Sequence, residues 1–181
     1  MRLIKHLVFY CLSISFGATS QAQKITEFQK DYQLDLIKTS AVITIDGILD
    51  EAIWTSTKLI HADNKKFPNN IGEAKRKTEV RSTFDDKNIY FAFKVYDSGT
   101  AIIKSLKRDV GHDGNDGIGI VLDPLNQKTN GFFFVLSAMN VQSEDQLSSS
   151  TERMSDWSWD TKWFSATKDY GHYWVAEIMI P

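Results

Sequence analysis

The densest group of carboxyl side chains lies in a glycine-rich loop that precedes a predicted strand. Asp109, Asp113 and Asp116 fall within eight residues of one another. Oxygen ligands at this spacing can hold a hard cation, although the loop is not an EF-hand because no Glu stands twelfth from Asp113. We therefore predict a metal site at these three residues. The alternative is a turn in which Asp116 caps backbone groups or pairs with Arg108.

A second group of residues combines aromatic rings with amide, carboxyl and guanidinium groups. Sugar recognition uses aromatic faces that stack on the ring and polar groups that bind the hydroxyls. Trp157 is predicted to be an exposed stacking residue, whereas Trp159 and Trp163 are expected to pack in the core. The polar side chains predicted to complete this site are Asn140, Gln142, Asp145 and Arg108.

The sequence contains none of the common local signatures of catalysis. It has no Gly-x-Ser-x-Gly elbow, no phosphate-binding glycine loop and no His-Glu-x-x-His pair. Glu144 or Asp145 with Glu177 is one conceivable acid and base pair, but the separation of two carboxyl groups cannot be read from sequence. These observations favour a binding module over an enzyme.

Composition restricts the classes of partner. With 42% hydrophobic and 24% charged residues, the chain has the makeup of a folded globular domain. A single Cys excludes a disulfide-stapled miniprotein and a Cys-based zinc site. The near balance of 21 basic and 23 acidic residues gives no electrostatic footprint for nucleic acid. Small molecules, glycans and proteins are the partners that remain.

The first 22 residues have the pattern of a secretory signal peptide. Arg2 and Lys5 precede an apolar stretch at residues 7–16, and Ser20 and Ala22 suit cleavage. The stretch is shorter than the roughly 20 apolar residues of a membrane-spanning helix. Cys11 lies within it, so the mature chain is predicted to have no cysteine. We expect export to the periplasm, the outer membrane or the extracellular space.

Short alternating segments in the rest of the chain predict strands. Thr78–Phe84 and Ile89–Tyr96 flank a turn-forming segment at residues 85–88 and read as a hairpin with one face on a core. Further strands are expected at residues 42–45, 116–123, 131–136, 159–166 and 172–180. We predict an all-β, antiparallel β-sandwich, immunoglobulin-like or jelly-roll-like, at residues 41–181. Residues 23–40 form a lead-in segment.

The sequence IDGILDEAIW at residues 45–54 is the most specific motif, and its residues suit structural roles. Gly47 permits a tight turn, Asp50 is expected to cap a helical turn, and Trp54 is expected to pack.

This motif resembles the start of family 9 carbohydrate-binding modules. Later segments that follow the family's order are FDDKNIY at 84–90, NGF at 130–132, WDTKW at 159–163 and WVAEIMIP at 174–181. The pattern is most similar to the N-terminal module of large exported Bacteroidetes-type proteins.

The resemblance implies a non-catalytic module that binds polysaccharide or oligosaccharide and positions an attached activity in carbohydrate catabolism. Family members are often fused to enzymes that hydrolyse O-glycosyl bonds, and they carry structural calcium. In the family, further residues follow the strand that ends in Ile-Pro. The resemblance therefore implies a C-terminally incomplete sandwich at Pro181, with a C-terminal continuation or fused domain as partner.

The family's sugar pocket does not transfer directly to this sequence. Members that bind sugar use two Trp residues, a Glu and an Arg, and the positions equivalent to the last two hold Gly119 and Val135. The alternative function is a structural or regulatory domain of an outer-membrane-associated protein that has no retained sugar site.

Overall fold

The computed structural model describes residues 33–66, 68–69, 71–97, 99–109, 114–149, 155–156 and 158–181. The predicted signal peptide, Asp113 and Trp157 lie outside these ranges. Within them, no helix has both the length and the apolar character needed to cross a membrane.

Two β-sheets and one short helix make up the described chain. The strands are β1 (Ile37–Lys38), β2 (Ile60–His61), β3 (Thr78–Phe84), β4 (Ile89–Tyr96), β5 (Gly117–Leu122), β6 (Asn130–Ser137), β7 (Gln142–Ser148), β8 (Ser155–Asp156), β9 (Phe164–Asp169) and β10 (Tyr173–Ile180), and the helix is α1 (Ala52–Ser56). One sheet has the order β1-β3-β4-β10-β9, with β2 also paired to β3, and the other has the order β5-β6-β7-β8. All pairs are antiparallel except β1 with β3. The predicted all-β antiparallel sandwich is confirmed.

Alternate side chains of each sheet meet in one core between the two layers. The six-stranded sheet contributes residues such as Phe93 and Ile178, and the four-stranded sheet contributes Ile120, Phe134 and Leu136. Burying each large apolar side chain stabilises the fold by roughly 1.5–3 kcal/mol. Because side chains alternate along a strand, the other face of each sheet points away from this core.

The predicted β3–β4 hairpin is confirmed, and the Asp85 carboxylate organises its turn. It accepts hydrogen bonds from the backbone N–H groups of Lys87 and Asn88, each at 2.7 Å, and from the Tyr90 hydroxyl at 2.7 Å. The Lys87 N–H, followed by the Tyr90 hydroxyl, lowers the pKa of Asp85 to about 2. The turn is therefore stabilised by the ionised carboxylate.

The Asp85 turn makes the free energy of unfolding depend on pH in the acidic range. The folded-state pKa of Asp85 lies below its ordinary value of 3.8, so the folded protein binds fewer protons than the unfolded chain between about pH 2 and pH 4. This stabilisation is present above pH 4 and is lost as the pH falls toward 2. Asp85→Asn should flatten that part of the stability profile, measured by urea unfolding at several pH values. Identical slopes in the two proteins would contradict this role.

Residues 41–57 cross the outer face of the six-stranded sheet instead of pairing at its edge. The predicted strand at residues 42–45 is wrong, because the Thr44 N–H donates to the side chain of Glu51 at 2.8 Å and not to a neighbouring strand. Ile43 and Trp54 pack there in a second apolar cluster with Tyr90 and Ala92. The predicted cap at Asp50 is also wrong, since α1 begins after Glu51 and has no side-chain cap.

A buried carboxylate holds this segment against β10. Glu177 is fully buried and accepts hydrogen bonds from the N–H groups of Asp46 at 3.1 Å and Gly47 at 2.8 Å, and from Trp54 Nε1 at 3.2 Å. Gly47 has a φ of 81°, and a Cβ on it would lie 3.0 Å from the Cβ of Lys168. Burial raises the pKa of Glu177, and the N–H donors of Gly47 and Asp46 oppose that rise.

Replacing the carboxylate with an amide should weaken this anchor. In Glu177→Gln the amide oxygen can accept from Asp46 and Gly47, but the NH2 group then faces the Trp54 Nε1–H, which keeps only its hydrogen bond to Glu51. We expect a loss of about 1–3 kcal/mol. Urea unfolding measures the loss. The control is Glu73→Gln, at an exposed position, which should stay within about 0.5 kcal/mol of the unmodified protein. Equal stability of the two variants would rule out the anchoring role.

Two sequence predictions in the C-terminal half need correction. The strand expected at residues 159–166 begins only at Phe164, although Trp163 is buried and Trp159 packs against the core as expected. Strand β7 was not predicted, because its sequence QSEDQLS has no apolar alternation.

Candidate functional site

The outer face of the four-stranded sheet carries a shallow trough. Two glycines of β5, Gly117 and Gly119, leave that part of the surface without side chains, and a cavity of about 170 Å³ lies over it. The side chains around the glycines belong to Asn115, Ile118, Phe133, Val135, Ser137, Val141 and Ser143.

Neighbouring atoms lie so close to Gly117 and Gly119 that a side chain at either position would clash with them. A Cβ at Gly119 would lie 2.7 Å from Cε2 of Phe133, and a Cβ at Gly117 would lie 2.7 Å from the carbonyl oxygen of Leu136. Any side chain at Gly119 would therefore displace the Phe133 ring or fill the trough. The sequence showed these alternating small residues but did not show that they line a cavity.

Two polar residues of β7 stand on this same outer face. The cross-strand register pairs Val135 with Ser143 and Phe133 with Asp145, so Ser143 and Asp145 share the face of the trough. Both are buried, and neither oxygen of the Asp145 carboxyl group has a hydrogen-bond partner among the described residues. Leaving such a group unsatisfied is costly, and buried polar groups of this kind often serve a function.

Three of the predicted sugar-binding residues meet elsewhere, at the edge where β7 approaches β9. Arg108 donates to Gln142 Oε1 at 2.6 Å, and Gln142 Nε2 donates to Ser165 Oγ at 2.8 Å. Ser165 Oγ in turn donates to Asn140 Oδ1 at 2.8 Å. These side chains therefore satisfy one another, whereas Asp145 projects from the opposite face of β7. The fifth residue, Trp157, lies outside the described residues.

The same network contains a buried acid. Glu144 accepts hydrogen bonds from Arg108 and, at 3.0 Å, from Trp163 Nε1. Arg108 also lies 3.3 Å from carboxylate oxygens of Asp109 and of Asp160. Burial raises the pKa of Glu144, and the Trp163 N–H and Arg108 lower it. The hydrogen bond with Glu144 lowers the pKa of Asp160. Arg108 is thus the cation that compensates this acidic group.

Removing the guanidinium of Arg108 should show how much it stabilises the buried carboxylate of Glu144. Arg108→Ala leaves Glu144 buried with less compensation, and we expect a loss of about 1–3 kcal/mol at pH 7 by urea unfolding. Without Arg108 the pKa of Glu144 rises further, so the protonated acid predominates at low pH and the loss relative to the unmodified protein should shrink toward pH 4. The neighbouring exposed Lys107→Ala is the control. A loss that does not vary with pH would refute the coupling.

The predicted metal ligands do not converge within the described residues. Asp109 pairs with Arg108, while Asp116 accepts from Arg76 at 2.7 Å and from the Ile102 N–H at 2.7 Å. Asp113 lies outside the described ranges, and inside them no three His, Cys, Asp or Glu side chains are grouped to hold a metal. The alternative pairing of Asp116 with Arg108 is replaced by pairing with Arg76. The calcium site stays a prediction.

The conceivable acid and base pairs are separated by the sandwich. Glu144 faces the space between the sheets, whereas Glu177 lies on the outer face of the six-stranded sheet and Asp145 on the outer face of the four-stranded sheet. Each carboxyl group therefore belongs to a different environment.

Comparison with known proteins decides the family. Residues 45–181 match the family described as "Carbohydrate family 9 binding domain-like". The chain belongs to this family. The resemblance noted in the motif at residues 45–54 is thereby confirmed. No curated protein gives a significant match to this chain.

Solved structures show the same fold. A family 9 carbohydrate-binding module from Caldicellulosiruptor kristjanssonii in complex with glucose matches with a TM-score of 0.56 and 15% identity, over 81% of this chain and 68% of that one. A structure of a family 9 module from the same organism in complex with cellotriose gives a TM-score of 0.54 and 15% identity, over 80% and 65%. The chain thus spans about two thirds of these modules.

Proposed function

We propose that this chain is a non-catalytic carbohydrate-binding module of an exported protein and that it binds polysaccharide at the trough on the four-stranded sheet. The observation that carries the proposal is the glycine trough itself, whose lining combines Gly117 and Gly119 with the hydroxyl-bearing Ser143. The unpartnered, buried carboxyl group of Asp145 lies two residues from Ser143 on the same face of β7. Membership of the carbohydrate family 9 binding domain-like family supports the choice of ligand.

The trough has surfaces that match both the C–H groups and the hydroxyl groups of a sugar. Gly117, Gly119 and Val135 offer a flat apolar surface to the C–H groups. Ser143 lines the trough and carries a hydroxyl that can donate to and accept from the hydroxyl groups of a sugar. In this proposal, movement of the side chains that cover Asp145 lets a sugar hydroxyl supply the donor that its buried carboxyl group lacks.

The module would act by tethering. Holding an attached domain or C-terminal continuation on polysaccharide raises its effective concentration near substrate without new chemistry. In this proposal the protein is a large exported one of Bacteroidetes type, active in carbohydrate catabolism in the periplasm, at the outer membrane or outside the cell. A fused O-glycosyl hydrolase and a structural calcium ion at Asp109, Asp113 and Asp116 belong to the same proposal.

The competing function is a structural or regulatory domain without a sugar site. The satisfied network of Arg108, Gln142 and Asn140 favours it, because those side chains have committed their polar groups to one another. Gly119 and Val135, at the positions of the family's Glu and Arg, favour it as well.

Asp145→Asn distinguishes the two functions. Under the binding proposal the variant replaces one acceptor oxygen with an NH2 group, and affinity should fall about tenfold or more. Because the buried amide is as unpartnered as the carboxyl group it replaces, the free energy of unfolding should stay within about 1 kcal/mol of the unmodified protein. Affinity electrophoresis on a polysaccharide panel and urea unfolding measure the two effects.

The control is Asp86→Asn, whose side chain is 82% exposed on the other sheet, and it should migrate as the unmodified protein does. Trp157→Ala should reduce retardation if that ring stacks on sugar as predicted from the sequence. If the folded, unmodified protein is retarded by none of the polysaccharides, the structural function is correct. A destabilised Asp145→Asn would show that the carboxyl group has a structural partner.

A further inference from the structure

Strand β5 lies at the edge of the four-stranded sheet, with one of its two sides unpaired. The sheet has the order β5-β6-β7-β8, and no described strand pairs with β5 on the side away from β6. In the loop that precedes β5, the Asp116 N–H donates to the Ile102 carbonyl oxygen at 2.7 Å. Among the described residues this backbone contact stops short of Gly117–Leu122, so the strand itself can bind a further strand.

The hydrogen-bond register shows which residues of β5 face the open side. The Ala138 N–H donates to the Asp116 carbonyl oxygen at 2.9 Å, which makes these two residues a hydrogen-bonded pair that continues the β5–β6 register. Hydrogen-bonded pairs alternate with non-bonded pairs in an antiparallel ladder, so the even-numbered residues of β5 bond to β6. The N–H and C=O groups of Gly117, Gly119 and Val121 therefore point away from β6.

The sequence of β5 lacks the features that keep an edge strand from pairing. Natural edge strands are protected by charged side chains, by Pro or by being very short. The six residues GIGIVL include no charge and no Pro, and Val121 is 59% exposed. By contrast, β1, β2 and β8 have two residues each, and β9 carries Lys168 and Asp169. Among the described strands, β5 is therefore the edge best suited to pairing.

The β5 sequence is complementary to itself when two copies meet antiparallel about Gly119. In that register Gly119 stands opposite Gly119 of the second copy, and Gly117 stands opposite Val121. All the outward-facing residues then form hydrogen-bonded pairs, each with two N–H···O bonds. The exposed Val121 side chain lies beside a glycine, which leaves room for it. On the core side Ile118 stands opposite Ile120, an apolar pair of the kind that stabilises sheets.

The same register separates the charges at the two ends of the strand. Asp116 stands opposite Leu122 of the second copy, and Asp123 stands opposite Asn115. Like charges placed directly opposite each other destabilise a strand pair. Since no carboxylate faces another, the ends of β5 do not oppose the pairing of two copies.

We propose that β5 is a docking edge for a second copy of this chain, and that two copies pair antiparallel through Gly117–Leu122 so that their four-stranded sheets form one continuous sheet. The pairing is isologous, with a two-fold axis at Gly119. It is independent of the proposed function, because it uses the backbone at the edge of the sheet and not the trough on its face.

Sedimentation equilibrium of the purified protein tests the association. Between about 1 and 200 µM, a range that includes the affinities of small interfaces, the average mass should rise from that of one copy toward that of two. A mass of one copy at every concentration overturns the proposal. A mass that passes two copies shows open-ended association and overturns the two-fold arrangement.

A matched pair of variants locates the interface. In Val121→Pro the lost N–H is one that points to the open side, so the β5–β6 ladder keeps its hydrogen bonds, and Pro is tolerated at such edge positions. The dissociation constant of the dimer should rise at least about tenfold. Val121→Thr keeps the N–H and the branched side chain, and its dissociation constant should stay within about threefold. Urea unfolding checks that both variants are folded. An unchanged dissociation constant in Val121→Pro would refute pairing through β5.

Amide hydrogen exchange on the unmodified protein gives a measurement that needs no variant. Residue-resolved NMR compares samples at about 20 and 200 µM. Exchange at Gly117, Gly119 and Val121 should slow in proportion to the dimer fraction found by sedimentation, because these N–H groups are paired only in the dimer. Exchange at Ile118 and Ile120, which bond to β6 in either state, should not change. A dimer that leaves exchange at the three outward-facing residues unchanged would use another surface and overturn the proposal.

Discussion

The buried carboxylate of Glu177 forms the hydrogen bonds on which the covering of the six-stranded sheet's outer face depends. It binds the backbone N–H groups of Asp46 and Gly47 and the indole of Trp54, and it thereby fixes residues 41–57 across the six-stranded sheet. That segment supplies the second apolar cluster and covers part of this face. The outer face of the four-stranded sheet instead carries the glycine trough, so the two layers of the sandwich present different surfaces.

The buried acids of the sandwich differ in how well they are satisfied. Glu177 has three N–H donors, and Glu144 has the indole of Trp163 and the guanidinium of Arg108. Asp145, the next residue along β7, has no donor among the described residues. Asp145 is therefore the one of these three buried acids that the described fold leaves without a donor.

Strand β7 shows why the candidate site was predicted only in part. Asp145 was selected from the sequence, and so were Gln142 and Asn140, because all three follow an apolar strand. The pleat of β7 directs Gln142 and Glu144 toward β9 and the core, and Ser143 and Asp145 to the opposite face, where Ser143 lines the trough. Since β7 itself was not recognised as a strand, neighbouring polar residues could not be assigned to opposite faces.

The sequence by itself determined the features that depend on local pattern. Period-two alternation located β3, β4 and β10 within a residue, and the motif at residues 45–54 identified the family. Tertiary structure decided that residues 42–45 cross a sheet, that Glu51 and not Asp50 precedes α1, and that Gly119 lies beside the Phe133 ring. The physical reason is that alternation is written along one strand, whereas the satisfaction of a carboxyl group and the shape of a trough depend on residues brought together from distant parts of the chain.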